Sequence, residues 1–490
     1  MADSQTNPAA DNSLAVPQAA GGAADWDVLL DLGGRTESAL HLRIRGALRD
    51  AVRAGRFPAG AALPASRRLA AELGCSRWAV TEAYEQLIAE GYLIGARGSA
   101  TRVAWSPSPD DDRQVSARRR TPAFSYDLTP GLPDLRHFPR RAWADALRAV
   151  IRDVPHGDLG YPAAAGAQSL RETLTAYLVR TRGAIATPDD LIVTTSVREA
   201  VRGLCAALRE EGIHAIACED PGWTGLRDVI ESTGLRVVPV PADDRGLRVD
   251  HLRRTADLRA VLVTPAHQFP LGSVLAPERR LELMAWARER DGVILEDDYD
   301  AEFRYDRAPV SSLQGMDPSR VVLLKSASKV LSPALNLGWL VVARRWRTSL
   351  AAWPGHLPMR QPPTLDQLAF ARLLESGAYD RHLRGCRTRY RRRRDRLVSN
   401  LAHGLPGARV IGSAAGLHLV VLIPRGTGHE LVQAAGRHGV QIADLAAYRT
   451  SNADQLEEGI VIGYGNILDS YIDPALRALA QAWNDVTRRG

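Results

Sequence analysis

The chain has 490 residues, of which 45% are hydrophobic, and this length favours two or three domains over one simple core. Its four cysteines form no CxxC pair and no ligand cluster, which argues against a disulfide framework and against a metal site. No apolar run reaches membrane-spanning length and no leader pattern opens the chain, so we expect a soluble cytoplasmic protein without a membrane partner.

The positive charge is concentrated near the amino end of the chain. We expect residues 1–30 to be a disordered tail and residues 31–105 to form the first domain. Between residues 35 and 105 the chain has eleven arginines and six acidic residues, a net charge of +5. Such a local excess suits a protein that binds a phosphate backbone, although a solvated basic face would give the same count.

This segment carries the pattern of three helices. An apolar residue at every fourth position from Leu40 to Val52 predicts a helix that ends near Gly55. Two further helices follow, SRRLAAEL and SRWAVTEAYEQLIAE, and each opens with a serine that can cap it, Ser66 or Ser76. Two helices joined by so tight a turn indicate a helix-turn-helix, whose second helix enters the major groove of DNA.

The stretch YLIGARGSATRVAW then predicts two short strands around a tip that carries Arg97, which is the pattern of a wing. From GRFPAG to SATRVA the segment resembles the GntR-type winged helix almost position by position. The resemblance implies that Arg67, Arg77 and Gly98 approach double-stranded DNA. Arg77 is suited either to a bidentate contact with guanine or to a phosphate clamp, and the sequence leaves both open.

Two departures from that pattern affect DNA recognition. Trp78 and Ala79 replace the small polar residues that usually follow the recognition-helix arginine, and Ala100 replaces a glycine of the wing. Trp78 therefore joins Arg97 among the candidate DNA-contacting residues. The operator sequence does not carry over from the family.

Residues 106–126 predict a linker, because prolines, a triple aspartate and a triple arginine occur there without apolar periodicity. A passive tether is the preferred interpretation. The alternative is that the triple arginine contacts DNA.

From residue 127 to residue 490, apolar strands alternate with amphipathic helices, beginning with LIVTT and VREAVRGLCAALREEG. This alternation predicts an α/β domain with a mainly parallel sheet and helices on both of its faces. A later strand, GLHLVVLIP, with helices around it, predicts a smaller C-terminal lobe.

Lys325 and Lys329 are the only lysines of the chain, against 61 arginines. A lysine can lose its proton inside a protein whereas an arginine cannot, so a retained lysine suggests chemistry that needs an amine. Lys329 follows the apolar run from Val321 to Leu324, which places it at the carboxyl end of a strand, where ligand sites of open α/β sheets lie.

Other polar groups follow neighbouring strands. ILEDDYDAEFRY places acids and a tyrosine after a buried strand, TPAHQFPLG adds His267 and Gln268, and DPGWTG adds Trp223. A pyridine-aldehyde cofactor needs a lysine, a carboxylate for the ring nitrogen, a phenol beside the ring hydroxyl, a stacking aromatic and phosphate donors. Carboxylates at strand ends are also often helix caps.

Residues 127 to 485 resemble the fold-type I aminotransferase domain. The blocks that carry this resemblance are YPAAAG, EDPGW, TPAHQFPLG, ILEDDYDAEFRY, SASKVLSPALNLGW and the basic helix YDRHLRGCRTRYRRRRDRL. The order of winged helix, linker and this domain resembles the MocR subfamily of GntR regulators, which includes the GabR, PdxR and TauR types. The resemblance implies pyridoxal phosphate as cofactor and a homodimer.

The resemblance also assigns roles to residues. Lys329 becomes the Schiff-base lysine, Asp297 the partner of the ring nitrogen with Asp298 as fallback, and Tyr299 the phenol near the ring oxygen. The remaining candidates for cofactor contacts are the stacking Trp223, the phosphate-side residues Ser196, Val197, Ser326 and Ser328, and Tyr161, which reaches the phosphate of the neighbouring subunit.

Four positions depart from the aminotransferase pattern. Ser196 stands where a glycine usually opens the phosphate-cradling helix, and Asn336 and Val461 stand where arginines are usual. Lys325 occupies a position where glycine is common. One hypothesis is that Lys325 restores a cation near the phosphate, and the rival is that it faces solvent.

We therefore expect a transcription regulator that senses pyridoxal phosphate, or its adduct with an amine or amino acid, in vitamin B6, amino-acid or amine metabolism. The alternatives are an active aminotransferase with an appended DNA-binding module, and a DNA-binding dimer whose large domain no longer binds the cofactor. Enzymatic turnover is left open, with partial transamination as one outcome. The arginines from Arg387 to Arg396 contact DNA or, as the preferred interpretation, form a solvated basic face.

Overall fold

The computed structural model describes residues 39–95, 100–104, 124–161, 163–255, 257–306, 310–342, 346, 361–424, 427–450 and 457–488. The chain divides into two compact units, residues 1–121 and residues 122–490, and each is described by itself. The predicted tail, the triple arginine of the linker, Arg97 and Gly98 lie outside the described residues. None of the helices described is long and apolar enough to cross a membrane.

The first unit is a three-helix domain with a short antiparallel ribbon. Its elements are α1 (Leu40–Arg53), α2 (Ser66–Glu72), α3 (Arg77–Ala89), β1 (Leu93–Ile94) and β2 (Arg102–Val103). Three of the four residues of the predicted apolar repeat are buried in α1, where Ile44 and Leu48 have no exposed surface and pack with α3, whereas Leu40 at the helix start is exposed. The prediction of helices and wing strands is therefore confirmed for this unit.

One predicted cap is confirmed and one is wrong. The Ser76 hydroxyl accepts a hydrogen bond from the Ala79 backbone N–H at 3.3 Å and caps α3. Ser66 does not cap α2, because the extended backbone already ends at Ala65 and Ser66 is the first helical residue. The Ser66 hydroxyl instead accepts a hydrogen bond from Nε of Arg77 at 3.5 Å.

The second unit is built on an eight-stranded sheet. Its strands are β4 (Leu191–Thr194), β5 (Ala215–Asp220), β6 (Arg236–Asp243), β7 (Gly246–Leu247), β8 (Ala260–Val263), β9 (Val293–Asp297), β10 (Val321–Ser326) and β11 (Gly338–Val341), in the spatial order β4-β11-β10-β9-β8-β5-β6-β7. The five strands from β10 to β6 are parallel, and β11 runs antiparallel to both of its neighbours. The mainly parallel sheet predicted from the alternation is thus confirmed.

Helices accompany these strands in chain order. They are α4 (Arg140–Asp153), α5 (Gln168–Arg182), α6 (Val197–Glu210), α7 (Thr224–Ser232), α8 (Val249–Arg253) and α9 (Pro277–Glu289). Side chains of successive residues in β10 enter different hydrophobic clusters, with Val322 in one and Val321 in the other. Apolar side chains are therefore buried on both faces of the sheet, as this two-residue period requires.

The smaller lobe has a four-stranded antiparallel sheet. Its strands are β12 (Arg409–Ile411), β13 (His418–Ile423), β15 (Ala443–Asp444) and β16 (Glu458–Gly463), and β3 (Tyr126–Asp127) pairs separately with β14 (Val440–Gln441). Four helices complete this part of the chain, α10 (Thr364–Glu375), α11 (Ala378–Gly404), α12 (Gly428–Arg437) and α13 (Ile472–Thr487). The predicted C-terminal lobe is therefore present.

The basic stretch of α11 is an ion-pair clamp rather than a free basic face. Arg393, with 2% of its side chain exposed, donates to Asp134 at 2.6 Å and to Asp469 at 2.5 Å. The neighbouring Arg392 and Arg396 pair with Asp469 and Asp473. The preferred interpretation, a solvated basic face, is thus wrong for the buried Arg393, since the lobe itself uses this charge.

We predict that Arg393→Ala lowers the free energy of unfolding by about 3–5 kcal/mol, because it leaves the buried Asp134 carboxylate without this cation. Urea denaturation followed by circular dichroism measures the change. Arg391→Ala is the matched control, because Arg391 lies on the same helix, is largely exposed and pairs only with Asp395 within α11. Equal loss in the two variants would contradict the clamp.

Candidate functional site

The recognition helix of the first unit presents an exposed polar and aromatic surface. Arg67 of α2 and Arg77 of α3 are both exposed. Trp78 is 64% exposed, and its ring meets His41 of α1 edge-on at 5.3 Å between centroids. The start of α3 therefore offers one cation and one large aromatic side chain to a partner.

Lys329 lies three residues beyond the end of β10. Its Nζ donates a hydrogen bond to the carbonyl oxygen of Gly131 at 2.6 Å. Gly131 has a φ of 116°, a left-handed conformation that favours glycine, and a Cβ there would lie 3.4 Å from the amine. Burial lowers the pKa of Lys329, although the carboxylates of Asp300 and Asp297 oppose the shift. This amine is consequently easier to deprotonate than an ordinary lysine.

Five acidic side chains between residues 296 and 302 are buried at the carboxyl end of β9. A buried carboxylate is costly unless it is paired or hydrogen-bonded. Four of the five have such partners. Glu296 accepts hydrogen bonds from the backbone N–H groups of Leu313 and Gln314, and Asp298 is bound by Arg182 and Lys325. Asp300 bonds to His267, and Glu302 pairs with Lys325. Among the described residues Asp297 is the member without a hydrogen bond or an ion pair.

Asp297 ends β9 and lies opposite Leu324 of the parallel β10. Its Oδ1 is buried and has no hydrogen-bond partner within the described part of the chain. Burial raises the pKa of Asp297 to about 7, reinforced by the neighbouring Asp298 and opposed by Lys329. Such a carboxyl group is suited to receive a cationic N–H group.

Asp298, the fallback for that role, is already occupied. Arg182 donates to its two carboxylate oxygens at 2.7 and 3.1 Å, and Nζ of Lys325 donates at 3.0 Å. Burial alone would raise the pKa of Asp298, but these two cations outweigh it and lower the pKa. Of the two candidates, Asp297 is therefore the one whose carboxylate has free hydrogen-bonding capacity among the described residues.

The hypothesis that Lys325 faces solvent is wrong. Its side chain is buried, with only 1% of the residue exposed. Its amine contacts Asp298 at 3.0 Å and Glu302 at 2.7 Å, so carboxylates already pair with the charge that the other hypothesis assigns to a phosphate. Burial lowers the pKa of Lys325, but these carboxylates more than reverse the effect and raise it. Lys325 is therefore a permanent structural cation, unlike Lys329.

Tyr299 belongs to a buried hydrogen-bonded chain with His267 and Asp300. The Tyr299 hydroxyl lies 3.0 Å from Nδ1 of His267, and the same nitrogen lies 2.9 Å from Oδ2 of Asp300. Burial and the charge of Asp300 raise the pKa of Tyr299, so the phenol keeps its proton. The sequence had singled out His267 and Tyr299 but not Asp300, although the DYD repeat of the strand end contains it.

A second histidine connects this chain to the C-terminal lobe. His418 of β13 packs its ring 5.2 Å from that of His267, and its Nε2 bonds to the Pro270 carbonyl at 2.9 Å. Burial lowers the pKa of His418 to about 3, so the ring is neutral. Sequence reasoning missed His418 because nothing near it in the chain marks it.

The two aromatic candidates remain accessible. Trp223 is 42% exposed at the start of α7, and its ring covers Gly225, where a Cβ would approach to 2.9 Å. The side chain of Tyr161 is fully exposed. Neither side chain is buried in the core of this subunit.

The phosphate-side candidates lie at the start of α6 and after β10. The Ser196 hydroxyl caps α6 by accepting from the Glu199 N–H at 3.2 Å, with Val197 as the first residue of the helix. Ser326 ends β10, and its Oγ accepts from the Ser328 N–H at 3.4 Å. A helix start and a serine pair offer N–H and O–H donors of the kind that phosphate groups accept.

The local structure accounts for Asn336 and Val461, the two residues that stand where arginines are usual. Asn336 adopts a left-handed conformation with φ of 45°, which asparagine tolerates better than most residues. Val461 is fully buried in β16, opposite Val420 and Ala443. A charged side chain at Val461 would enter the apolar cluster that also holds Leu445.

Comparison with known proteins identifies both units. Residues 40–103 match the gntR family of bacterial regulatory proteins, and residues 131–466 match aminotransferase class I and II. The pyridoxine biosynthesis regulator PdxR of Corynebacterium glutamicum is 33% identical over 90% of this chain and 95% of its own. The chain belongs to the MocR-type family of GntR regulators.

Further similarities agree with this membership. The probable rhizopine catabolism regulator MocR of Rhizobium meliloti is 31% identical over 91% of this chain and 94% of its own length. The Thermus thermophilus α-aminoadipate aminotransferase LysN, solved with a phosphopyridoxyl-leucine ligand, covers 74% of this chain and 93% of its own at a TM-score of 0.64 and 22% identity. The second unit of this MocR-type chain thus has the fold-type I aminotransferase fold.

The aminotransferase class I and II domain indicates pyridoxal phosphate as the cofactor. The residues around Lys329, which include Asp297, Tyr299 and Trp223 and which we call the cofactor cleft, fit this molecule. Asp297 has an unused buried oxygen for a protonated ring nitrogen, and Lys329 has an easily deprotonated amine. The first unit, with its gntR-type helix-turn-helix, implies DNA binding.

We predict that Lys325→Met lowers the free energy of unfolding by about 3 kcal/mol, because it leaves Glu302 buried beside an apolar group. Urea denaturation at neutral pH measures it. Adding Glu302→Gln should recover at least about 1 kcal/mol, as expected for coupled neighbours. Unchanged stability with weakened cofactor affinity would restore the phosphate role of Lys325.

We predict that Asp297→Asn stabilises the cofactor-free protein above neutral pH. A carboxyl pKa that is raised on folding contributes stability at low pH, which is lost as pH rises from 3.8 through about 7. The variant should therefore exceed the wild type by about 2–4 kcal/mol at pH 8, with a smaller difference at pH 5. Urea titrations at both pH values test this, with the exposed Asp158→Asn as control. A difference independent of pH would contradict the shifted pKa.

Proposed function

We propose that this MocR-type regulator senses pyridoxal phosphate, or its adduct with an amine, through residues of the cleft beside Lys329. The observation that carries the proposal is the contrast among the buried acids, since only Asp297 lacks a partner in the described chain. A protein that used this domain only to dimerise would gain nothing from an unpaired buried carboxylate, whose cost is about 1–3 kcal/mol or more.

Each residue of the cleft has a part in holding the cofactor. Bound pyridoxal phosphate supplies an electrophilic aldehyde and an electron-withdrawing ring. Lys329 presents the amine, Asp297 holds the ring nitrogen protonated, and Tyr299 hydrogen-bonds the ring oxygen. The proposed surrounding contacts are stacking by Trp223 and phosphate donors from Ser196, Val197, Ser326 and Ser328.

A homodimer is part of the proposal. The exposed Tyr161 would reach the phosphate in the partner subunit, which would explain why a large aromatic side chain has no contact surface of its own. The dimer would also carry two winged helices, each of which would bind one half-site of the operator. The proposed DNA contacts are Arg67, Arg77, Trp78, Arg97 and Gly98. Residues 106–126 would link the two functions.

The effector is proposed to be the cofactor itself or an amine rather than an ordinary α-amino acid. An amino-acid carboxylate needs a cation, and the position usual for that arginine is the buried Val461. A change in the cleft would shift the large unit between two conformations, which requires different affinity for the two states.

We predict that pyridoxal phosphate changes the footprint of the wild-type protein on the DNA upstream of its own gene. Lys329→Ala should still bind this DNA, lose the absorption band of the lysine-bound cofactor and lose the response. Arg77→Ala should weaken DNA binding roughly tenfold with or without the cofactor, as expected for a guanine or phosphate contact.

Two results would contradict the proposal. A Lys329→Ala protein that still responds to the cofactor would exclude this cleft as the sensor. Multiple-turnover transamination at an enzymatic rate, without any effect of the cofactor on DNA binding, would identify an aminotransferase with an appended DNA-binding module.

A further inference from the structure

A cavity of about 920 Å³ lies between the large sheet and the C-terminal lobe. We call it the lobe cavity; Ser273, Arg280, Arg304, Leu445 and Arg449 are among the residues that line it. Its volume is in the range of small-molecule sites. Lys329, Asp297, Tyr299 and Trp223 do not line it, so it is separate from the cofactor cleft.

Unused hydrogen-bond donors collect around the lobe cavity. Four of its lining residues retain a buried polar atom without a partner in the described structure: Oγ of Ser273, Nη1 of Arg280, Nη1 of Arg304 and Nε of Arg449. Each such atom costs about 1–3 kcal/mol when it stays unsatisfied. All four atoms can donate and the three from arginine cannot accept, so these lining side chains are suited to an acceptor-rich ligand toward which they turn their unused N–H and O–H groups.

The charge that remains available in the lobe cavity is positive. Its acidic lining residues are mostly occupied, since Asp243 binds Arg279, Asp306 binds Arg304 and Glu457 binds Arg409, while Asp244 is exposed to solvent. Arg280 is 8% exposed and donates through Nη2 to the Ser311 carbonyl at 2.6 Å. It makes no ion pair with any residue described here. Burial lowers the pKa of Arg280, and the charges of Glu296 and Asp298, each hydrogen-bonded to other groups, oppose that shift from beyond ion-pair distance.

The rest of the wall is apolar. Leu271, Leu275, Ile411, Leu422 and Leu445 line the lobe cavity beside these donors. Leu422 and Leu445 belong to the apolar cluster of the lobe that also contains Val461. A ligand that fills this space therefore needs a hydrophobic body in addition to its anionic group.

We propose that the lobe cavity is a second small-molecule site, which binds an oxyanion carried on an apolar body, of the carboxylate or phosphate-ester class. Arg280 and Ser273 from the large domain and Arg449 from the lobe would hold the anionic group. The ligand thereby joins two parts of the unit, and its affinity depends on how they are placed.

The lobe cavity adjoins the loop that carries His267. The N–H and the hydroxyl of Ser413, which lines the cavity, both donate to the Gly272 carbonyl at 2.8 Å. A Cβ on Gly272 would lie 3.4 Å from Nε2 of His267, whose other nitrogen contacts Tyr299. A ligand in the cavity would therefore influence the cofactor cleft, and this coupling, unlike the binding, rests on the proposed function.

Calorimetric titration of the full-length protein with phenyl phosphate and with benzoate tests the binding. We expect at least one of these probes to bind and the uncharged benzyl alcohol not to bind; the probe that binds identifies the oxyanion source. Arg280→Met should weaken binding roughly tenfold or more, as expected from the loss of a charged donor. Arg288→Met is the matched control, because Arg288 lies on the same helix, is largely exposed and pairs with Asp317.

Two further variants keep the test decisive. Val274→Trp fills the lobe cavity from a half-buried position without removing a charge, so it should also abolish binding if Arg280→Met does not fold. Lys329→Ala should still bind the probe, and Arg280→Met should weaken that binding as it does in the wild type, which separates this site from the cofactor cleft. No binding of either probe, equal binding by Val274→Trp, or equal affinity for benzyl alcohol would overturn the proposal.

Discussion

The large unit depends on how five buried carboxyl groups at the end of β9 are neutralised. A parallel strand brings residues 296–302 to the sheet edge where ligands bind, and burial there penalises every negative charge. Arg182 and Lys325 pair with Asp298, Lys325 also pairs with Glu302, backbone N–H groups bind Glu296, and His267 bonds to Asp300. The member without any hydrogen bond or ion pair among the described residues is Asp297, and the charge of Lys329 acts directly on its pKa.

The two lysines of the chain show how environment separates identical side chains. Lys325 is surrounded by carboxylates and keeps its proton, whereas the half-buried Lys329 has only a carbonyl as hydrogen-bond acceptor, and its pKa falls. An arginine could replace the first charge but not the chemistry of the second. The two lysines of this arginine-rich chain thus differ: one is a paired cation of the structure, and the other has an amine that is easier to deprotonate.

Sequence reasoning reached the fold because local patterns determine it. The four-residue repeat of α1 and the strand–helix alternation of the large unit are read within one window of the chain, and both are present in the structure. The surroundings of Lys325 could not be read this way, because Arg182 lies 143 positions before it and on another element. The same holds for His418, which meets His267 only after β13 has packed against the loop from 267 to 272.

The loop from residue 267 to residue 272 is the physical connection between the lobe and the cofactor cleft. On one side His267 fixes the hydroxyl of Tyr299, and on the other the Pro270 and Gly272 carbonyls accept hydrogen bonds from His418 and Ser413 of the lobe. A shift of the lobe by a fraction of a hydrogen-bond length would have to break these bonds or move Tyr299. Because packed and hydrogen-bonded elements change between discrete arrangements rather than deform continuously, this loop is suited to convert occupancy of the cleft into a switch of the whole unit.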